Sequence, residues 1–493
     1  MKVCKLFFSL LLFSTFSVAQ TTNGIDTSIK GTLDTHIAAL YQELGLGGDF
    51  LFCVVNKEGI VYSYTKGNAQ SHNALTLNTP FYVASHTKAM TGTLLKLMEK
   101  QGVVNLDETI DKYLPELHFN SKIDPRTITI KDLLSHSHGI SNDVITWKTA
   151  YLGYSGNNQE LVADFNHYST YDSTRRFNYS NIGPILAAIV VEKRMGKSWK
   201  DLMAKYLFQP LQMHQSSGYL RQYNLKNVAP TSYVQKANGS KQIGFYKTDN
   251  TLHAAGGTIT TANDLANWLR FNINRGRWNH AGLLSEADFN ALITPAVKQE
   301  VTYFTYKRYG YSLGWDLATY NGEKLATRFG GFAGSLTAHI SFLPEKGLGI
   351  IAFTNEEKAY RLPHISANLA YNLFLHKQNT WALFEQEKEV YKTALAKKNV
   401  TENKVNSTCP MPPNIEGTYV NQSGWPSLRI KHKRNALWLQ WGEAQAQAII
   451  TDCKSGSVTL FADFGSFQRT FQITLEKGKS NTIQTGSLFF AKS

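Results

Sequence analysis

Cysteine is scarce in this chain, with four in 493 residues and no Cys-x-x-Cys pair. That argues against a zinc knuckle. Beyond the first twenty residues no apolar run reaches the ~20 residues that a membrane span needs. There is no Gly-x-x-x-x-Gly-Lys loop to cradle a phosphate and no internal repeat. Acidic residues are the minority, 37 against 51 Lys and Arg, for a formal charge of +14. The basic residues are scattered rather than run together. The charge is therefore read as a surface property that leans towards the cell envelope, not towards nucleic acid. A composition of 42% hydrophobic and 18% charged residues is globular.

What is present begins with a leader. Lys2 and Lys5 precede an apolar stretch, and Ser17 and Ala19 supply small residues for cleavage after Ala19. Residues 1–19 read as a secretory signal peptide, which places the mature chain in the periplasm or outside the cell. Cleavage would leave 49 basic against 37 acidic residues. Of the remaining cysteines, Cys409 and Cys453 fall in one C-terminal segment and are able to pair. Cys53 sits in an apolar run and reads as a buried thiol.

Periodicity gives the architecture. "DFLFCVVNKEGIVYSYTKG" reads as two strands about a turn. Met90, Leu94, Leu95 and Met98 recur at helical spacing up to Gly102. Residues 105–300 read as mostly helices and loops. Strands return at "YGYSLGWDLAT" and at "LTAHISFLPEKGLGIIAFTN". Strands at both ends with helices between predict an antiparallel sheet closed by both termini, with a helical region beside it. The expected domains are 24–378, a helical segment and Pro-rich linker at 379–413, and a small all-β unit at 414–493. That unit reads as a barrel (lipocalin-like) or a sandwich.

One short stretch carries chemistry. Ser85 lies three residues before Lys88 at a helix start, and i and i+3 share a helix face. A serine hydroxyl becomes nucleophilic when a base removes its proton, and a buried lysine can be that base. The same spacing at Ser63 and Lys66 lies in a strand, where such residues point to opposite faces. Tyr179-Ser180-Asn181 stands immediately before a second helix, with Pro184 near its start and Gly196 at its end.

Several segments in order resemble the serine hydrolases of the β-lactamase and penicillin-binding-protein superfamily, class C-like branch. They are "FYVASHTKAMTGTLLKLMEKQGVVNLDETIDKYLP", "ITIKDLLSHSHGIS", "FNYSNIGP", "AAGGTITTANDLANWLRF", "YGYSLGW" and "RFGGFAGSLTAHISFLPEKGLGIIAFTN". The resemblance covers about residues 30–360 and implies an α/β fold and acyl transfer without metal or organic cofactor. It makes Ser85 the nucleophile and Lys88 its base. Tyr179 becomes an acid or base, as a phenolate-like partner of Lys88. Asn181 would bond a substrate amide or Lys88. The backbone N–H groups of Ser85 and Phe332 would form the oxyanion hole. The third motif departs from the family's Lys-Thr-Gly or His-x-Gly. Here Phe329, Gly330 and Gly331 stand in the substrate-binding strand, and Arg328 is expected to face away. The missing cation favours an esterase, with D-amino-acid peptides and β-lactams as further substrates. The alternative is a catalytically weak protein that binds or senses cell-wall peptides. His136 and His138 lack a third metal ligand, and His253 is a candidate to line the cleft.

Overall fold

The computed structural model describes residues 26–67, 74–120, 122–235, 241–243, 247–279, 281–332, 336–396, 409, 411, 414–433, 436–465, 467–476 and 479–493. The expected leader lies outside these residues. Among them, no helix is long and apolar enough to cross a membrane.

The main sheet has eight antiparallel strands. In chain order they are β1 Phe50–Val55, β2 Ile60–Lys66, β3 Val297–Tyr303, β4 Tyr306–Tyr311, β5 Asp316–Tyr320, β6 Glu323–Gly331, β7 Thr337–Leu343 and β8 Leu348–Thr354. Their spatial order is β3-β4-β5-β6-β7-β8-β1-β2. β1 pairs with β8 through Cys53 opposite Ile351, so the early hairpin closes the sheet beside the last strand, as the sequence predicts. Ser63 and Lys66 do lie on a strand, β2.

Both faces of the sheet are covered, and β1 is buried along its whole length. That accounts for a continuous apolar run in place of alternation. On one face Phe50, Phe52 and Phe329 pack with α1 (Thr27–Glu43) and with the C-terminal helices Leu362–Phe374 and Thr380–Ala396. Phe384 and Tyr391 of the last helix belong to this core. The helix thus packs into the body built on the main sheet, ahead of the C-terminal strands.

On the other face Leu51, Cys53, Val55 and Ile351 share a core with three helices: α2 (Thr87–Lys100), α3 (Ile182–Met195) and α4 (Ala262–Ile273). Met90, Leu94, Leu95 and Met98 of α2 are fully buried, each worth roughly 1.5–3 kcal/mol of transfer free energy. α3 ends at Gly196, whose φ of 62° needs the freedom of glycine.

The C-terminal unit is a closed eight-stranded barrel running from Gly417–Val420 to Leu488–Lys492. Buried positions alternate along Ala436–Trp441 and Ser457–Asp463, and Trp441, Leu460, Phe471 and Phe490 fill the interior. Closure leaves no exposed strand edge. Cys409 and Cys453 form a disulfide, and Cys53 is a buried free thiol.

Candidate active site

Ser85 lies in a single 3-10 turn, Ala84–His86, that runs directly into α2. Ala84 before it has φ 45°, a conformation that non-glycine residues rarely adopt. β6 crosses against this turn. A Cβ on Gly330 would stand 2.1 Å from the carbonyl oxygen of Val83, so only glycine allows the approach.

Lys88 is 1% exposed. Its Nζ donates to Asn181 Oδ1 and to the Ala255 carbonyl, each at 2.8 Å, and lies 3.3 Å from Ser85 Oγ. Burial first, then the nearby Arg328 charge, hold the amine well below the ordinary lysine range, against a weaker opposing effect of Asp316. A neutral amine has two hydrogens, and both find carbonyl acceptors. Its lone pair is left for the Ser85 hydroxyl. Asn181 precedes α3 without capping it, so its amide is free to hold Lys88.

Tyr179 reaches the same point from the loop before α3. As a residue Tyr179 is 38% exposed, and its hydroxyl interacts with Ser85. Burial raises the phenol above its ordinary range, and Arg328 and Ser85 offset this only in part. The phenol therefore keeps its proton at neutral pH, which corrects the phenolate-like reading. Lys88 Nζ and the Arg328 guanidinium approach the ring at 4.7 and 4.5 Å.

The third motif needs two further corrections. Ala326 belongs to the core on the α2 face, and Leu325 and Phe329 to the opposite core. Strand alternation thus turns Arg328 and Gly330 towards Ser85 and turns the Phe329 ring away from it. Phe329 packs on His339 and Tyr303 at 4.6 and 4.8 Å. The cation expected to be missing is supplied by Arg328, which is paired with Asp316 at 2.8 Å. The N–H of Phe332 donates to the Leu336 carbonyl at 3.3 Å, so it is already engaged. Ladder alternation turns the N–H of Gly331 away from β7 and leaves it without a ladder partner there, next to Gly330, which touches the turn before Ser85. The Phe332 ring instead lies under Lys247 Nζ at 4.4 Å.

Ser85, Tyr179, Arg328, Phe329, Gly330 and Gly331 border one cavity of about 370 Å³. A larger groove of about 980 Å³ around Glu192 and Lys200 contains none of Ser85, Lys88 or Tyr179. Sequence reasoning missed Ala255, Arg308 and Asp316. Ala255 acts through its backbone, and no spacing marks the other two. The histidines have structural partners. His136 Nε2 meets the Tyr311 hydroxyl at 3.2 Å, and His138 Nδ1 accepts from the Ile140 N–H. His86 Nε2 accepts from Trp268 and so points away from the site. His253 Nδ1 accepts the Ala255 N–H at 3.2 Å and fixes the turn that holds Lys88.

A family model described as Beta-lactamase matches residues 33–370. The chain belongs to the beta-lactamase family. Among curated relatives, this beta-lactamase-family chain is 24% identical over 311 residues to Protein flp of Staphylococcus aureus. That match covers 61% of this chain and 57% of the relative, so the chain spans little more than half of that protein's length. Among solved structures it is similar to the octameric penicillin-binding protein homologue from Pyrococcus abyssi. There the TM-score is 0.62 at 20% identity, covering 95% of this chain and 100% of the other. The D-amino acid amidase from Ochrobactrum anthropi matches with TM-score 0.52 at 20% identity, over 67% and 90% of the two chains. These structural likenesses establish the fold.

Proposed function

We propose that the chain is a serine hydrolase acting through an acyl-enzyme on an ester or amide. The observation that carries this reading is the buried Lys88 amine, whose Nζ lies 2.8 Å from both Asn181 Oδ1 and the Ala255 carbonyl and 3.3 Å from Ser85 Oγ; once deprotonated, it keeps two hydrogens for the carbonyls and a lone pair for the Ser85 hydroxyl. Lys88 takes the Ser85 proton as Oγ attacks the carbonyl carbon. The oxyanion is received by the N–H groups of Ser85 and Gly331. Tyr179 gives its proton to the departing group and is reprotonated by Lys88. Water then enters by the reverse sequence and releases the acid. The Arg328 guanidinium removes the main reason for favouring a plain esterase, so substrates with an anionic group, D-amino-acid peptides among them, stand level with esters. The neighbouring amidase fold supports that breadth. We place the protein outside the cytoplasm; the leader-like first residues and the Cys409–Cys453 disulfide support an oxidising compartment.

A fluorophosphonate probe followed by intact-mass measurement tests the chemistry. One adduct per chain is expected, lost in Ser85→Ala. Folded protein that stays unlabelled would sink the hydrolase and leave a binding or sensing role. Turnover of p-nitrophenyl acetate, nitrocefin and D-alanyl peptides then ranks the substrate classes.

A further inference from the structure

The β3–β4 hairpin carries features that the reaction above does not use. At its tip Phe304 has φ 54°, a conformation that a bulky side chain holds only when its surroundings enforce it. The enforcement is visible. Its ring packs on Phe329 at 5.7 Å and under the Arg361 guanidinium at 4.6 Å. Phe177, Tyr303, Phe304 and Tyr360 together give an aromatic wall to the cavity that contains Ser85.

The charges in that cavity do not balance. Arg328 and Arg308 both lean on one carboxylate, Asp316, at 2.8 and 3.3 Å. Arg328 also donates to the Phe329 carbonyl. Arg308 lies on the Tyr303 ring at 4.2 Å, and its buried Nε has no hydrogen-bond partner among the described residues. A second guanidinium facing a cavity with only a share of one carboxylate suits a carboxylate ligand.

Tyr179 borders the same cavity. In the proposed reaction the departing group takes its proton from Tyr179, so the departing half of the substrate occupies this space. We propose that the cavity is a leaving-group subsite for an aromatic group that carries a carboxylate, with Phe304 holding the ring and Arg308 the anion. This rests on the serine-hydrolase reading. An aromatic C-terminal residue of a peptide and an aryl ester with a ring carboxylate both present that chemistry.

The test uses the full chain and phenylacetylglycine linked to four leaving groups: 3-hydroxybenzoate, phenol, lactate and phenylalanine. After correction for alkaline hydrolysis rates, the 3-carboxyphenyl ester is expected to exceed the phenyl ester about tenfold in kcat/KM, the scale of one charge-assisted hydrogen bond. Arg308→Gln collapses that ratio. Phe304→Ala lowers both aryl esters at least fivefold relative to the lactate ester, and Phe304→Leu retains part of the preference. Cleavage of the phenylalanine amide, and of one enantiomer over the other, marks a peptide source; cleavage of the esters alone marks an ester. Ratios unchanged in both variants overturn the subsite while leaving the hydrolase standing. Independently, 3-phenylpropionate binding to Ser85→Ala protein is measured by calorimetry. A loss of at least fivefold on adding Arg308→Gln or Phe304→Ala supports the subsite even if no substrate turns over, and equal affinity in all three proteins refutes it.

Discussion

Asn181 shows how one amide holds a lysine 93 residues away in the chain. Its Oδ1 accepts a Lys88 hydrogen at 2.8 Å, and burial keeps the amine neutral at a pH where an exposed lysine is charged. In the proposed reaction kcat/KM therefore falls as the pH is lowered and Lys88 takes up a proton, and it is level well below pH 10.5. Asn181→Asp puts a carboxylate beside the amine and favours the ammonium form. The acidic limb of the pH profile is expected to move to higher pH. Asn181→Ala removes one acceptor and lowers kcat by roughly 10- to 100-fold, the range of one hydrogen bond to a charged or developing centre. An acidic limb unmoved in Asn181→Asp would count against Lys88 as the base. Both readouts are steady-state kinetics on a p-nitrophenyl ester.

At the scale of elements, the site is a crossing of β6 over the turn before α2. The crossing depends on Gly330, because an alanine Cβ would meet the Val83 carbonyl at 2.1 Å. Gly330→Ala must push the strand or the turn aside. We expect a loss of stability of ~2–4 kcal/mol and, since displacement by about 1 Å is worth roughly 100-fold in rate, nearly complete loss of acylation. Urea unfolding and fluorophosphonate labelling measure the two effects. A neighbouring element gives a pH-linked prediction. Lys247 is buried between the Tyr151 and Phe332 rings, donates to the Ala150 carbonyl, and is lowered by burial to about 7. Its unfolded value is near 10.5, so between pH 7 and 10.5 the unfolded chain binds more protons. Stability due to this group then rises with pH across that window, by up to about 1.4 kcal/mol per unit. The penalty is full below pH 7. In Lys247→Met that contribution to the slope disappears, and the variant gains stability most at neutral and acid pH. Unfolding curves at pH 7, 8, 9 and 10 compare the two proteins; parallel pH dependences would refute the assignment.

At the scale of the molecule, the barrel is seated on the beta-lactamase-like body through the segment around Leu152. The Glu443 N–H donates to the Leu152 carbonyl at 2.7 Å, and its carboxylate receives the Thr248 hydroxyl and the Asn250 amide. Trp147 stacks on Trp441 of the barrel at 6.1 Å, while Lys247 links the next turn to Phe332, the residue after the Gly331 N–H. Trp441 is fully buried and central to the barrel core. Trp441→Ala is expected to destabilise the barrel by ~3–5 kcal/mol, seen as a lower unfolding midpoint, with Ser85 labelling retained below that midpoint.

The sequence by itself determined the antiparallel sheet closed by both termini, the helix that follows Ser85 and carries Lys88, the all-β tail and the pairing available to Cys409 and Cys453; it put Ser85 in the first turn of that helix, where the structure has a separate 3-10 turn. These follow from hydrophobic period, turn residues and motif order, which are local. It left barrel and sandwich open, because alternating strands serve both and only closure separates them. Tertiary structure decided which side of β6 faces the nucleophile. Strand parity is fixed by the register against neighbours and by the two cores on either face, so Arg328 enters the site where a count from Phe329 turned it out. It also brought Ala255, Arg308 and Asp316 to Ser85, because contacts between distant segments are set by packing and leave no periodic trace in the chain.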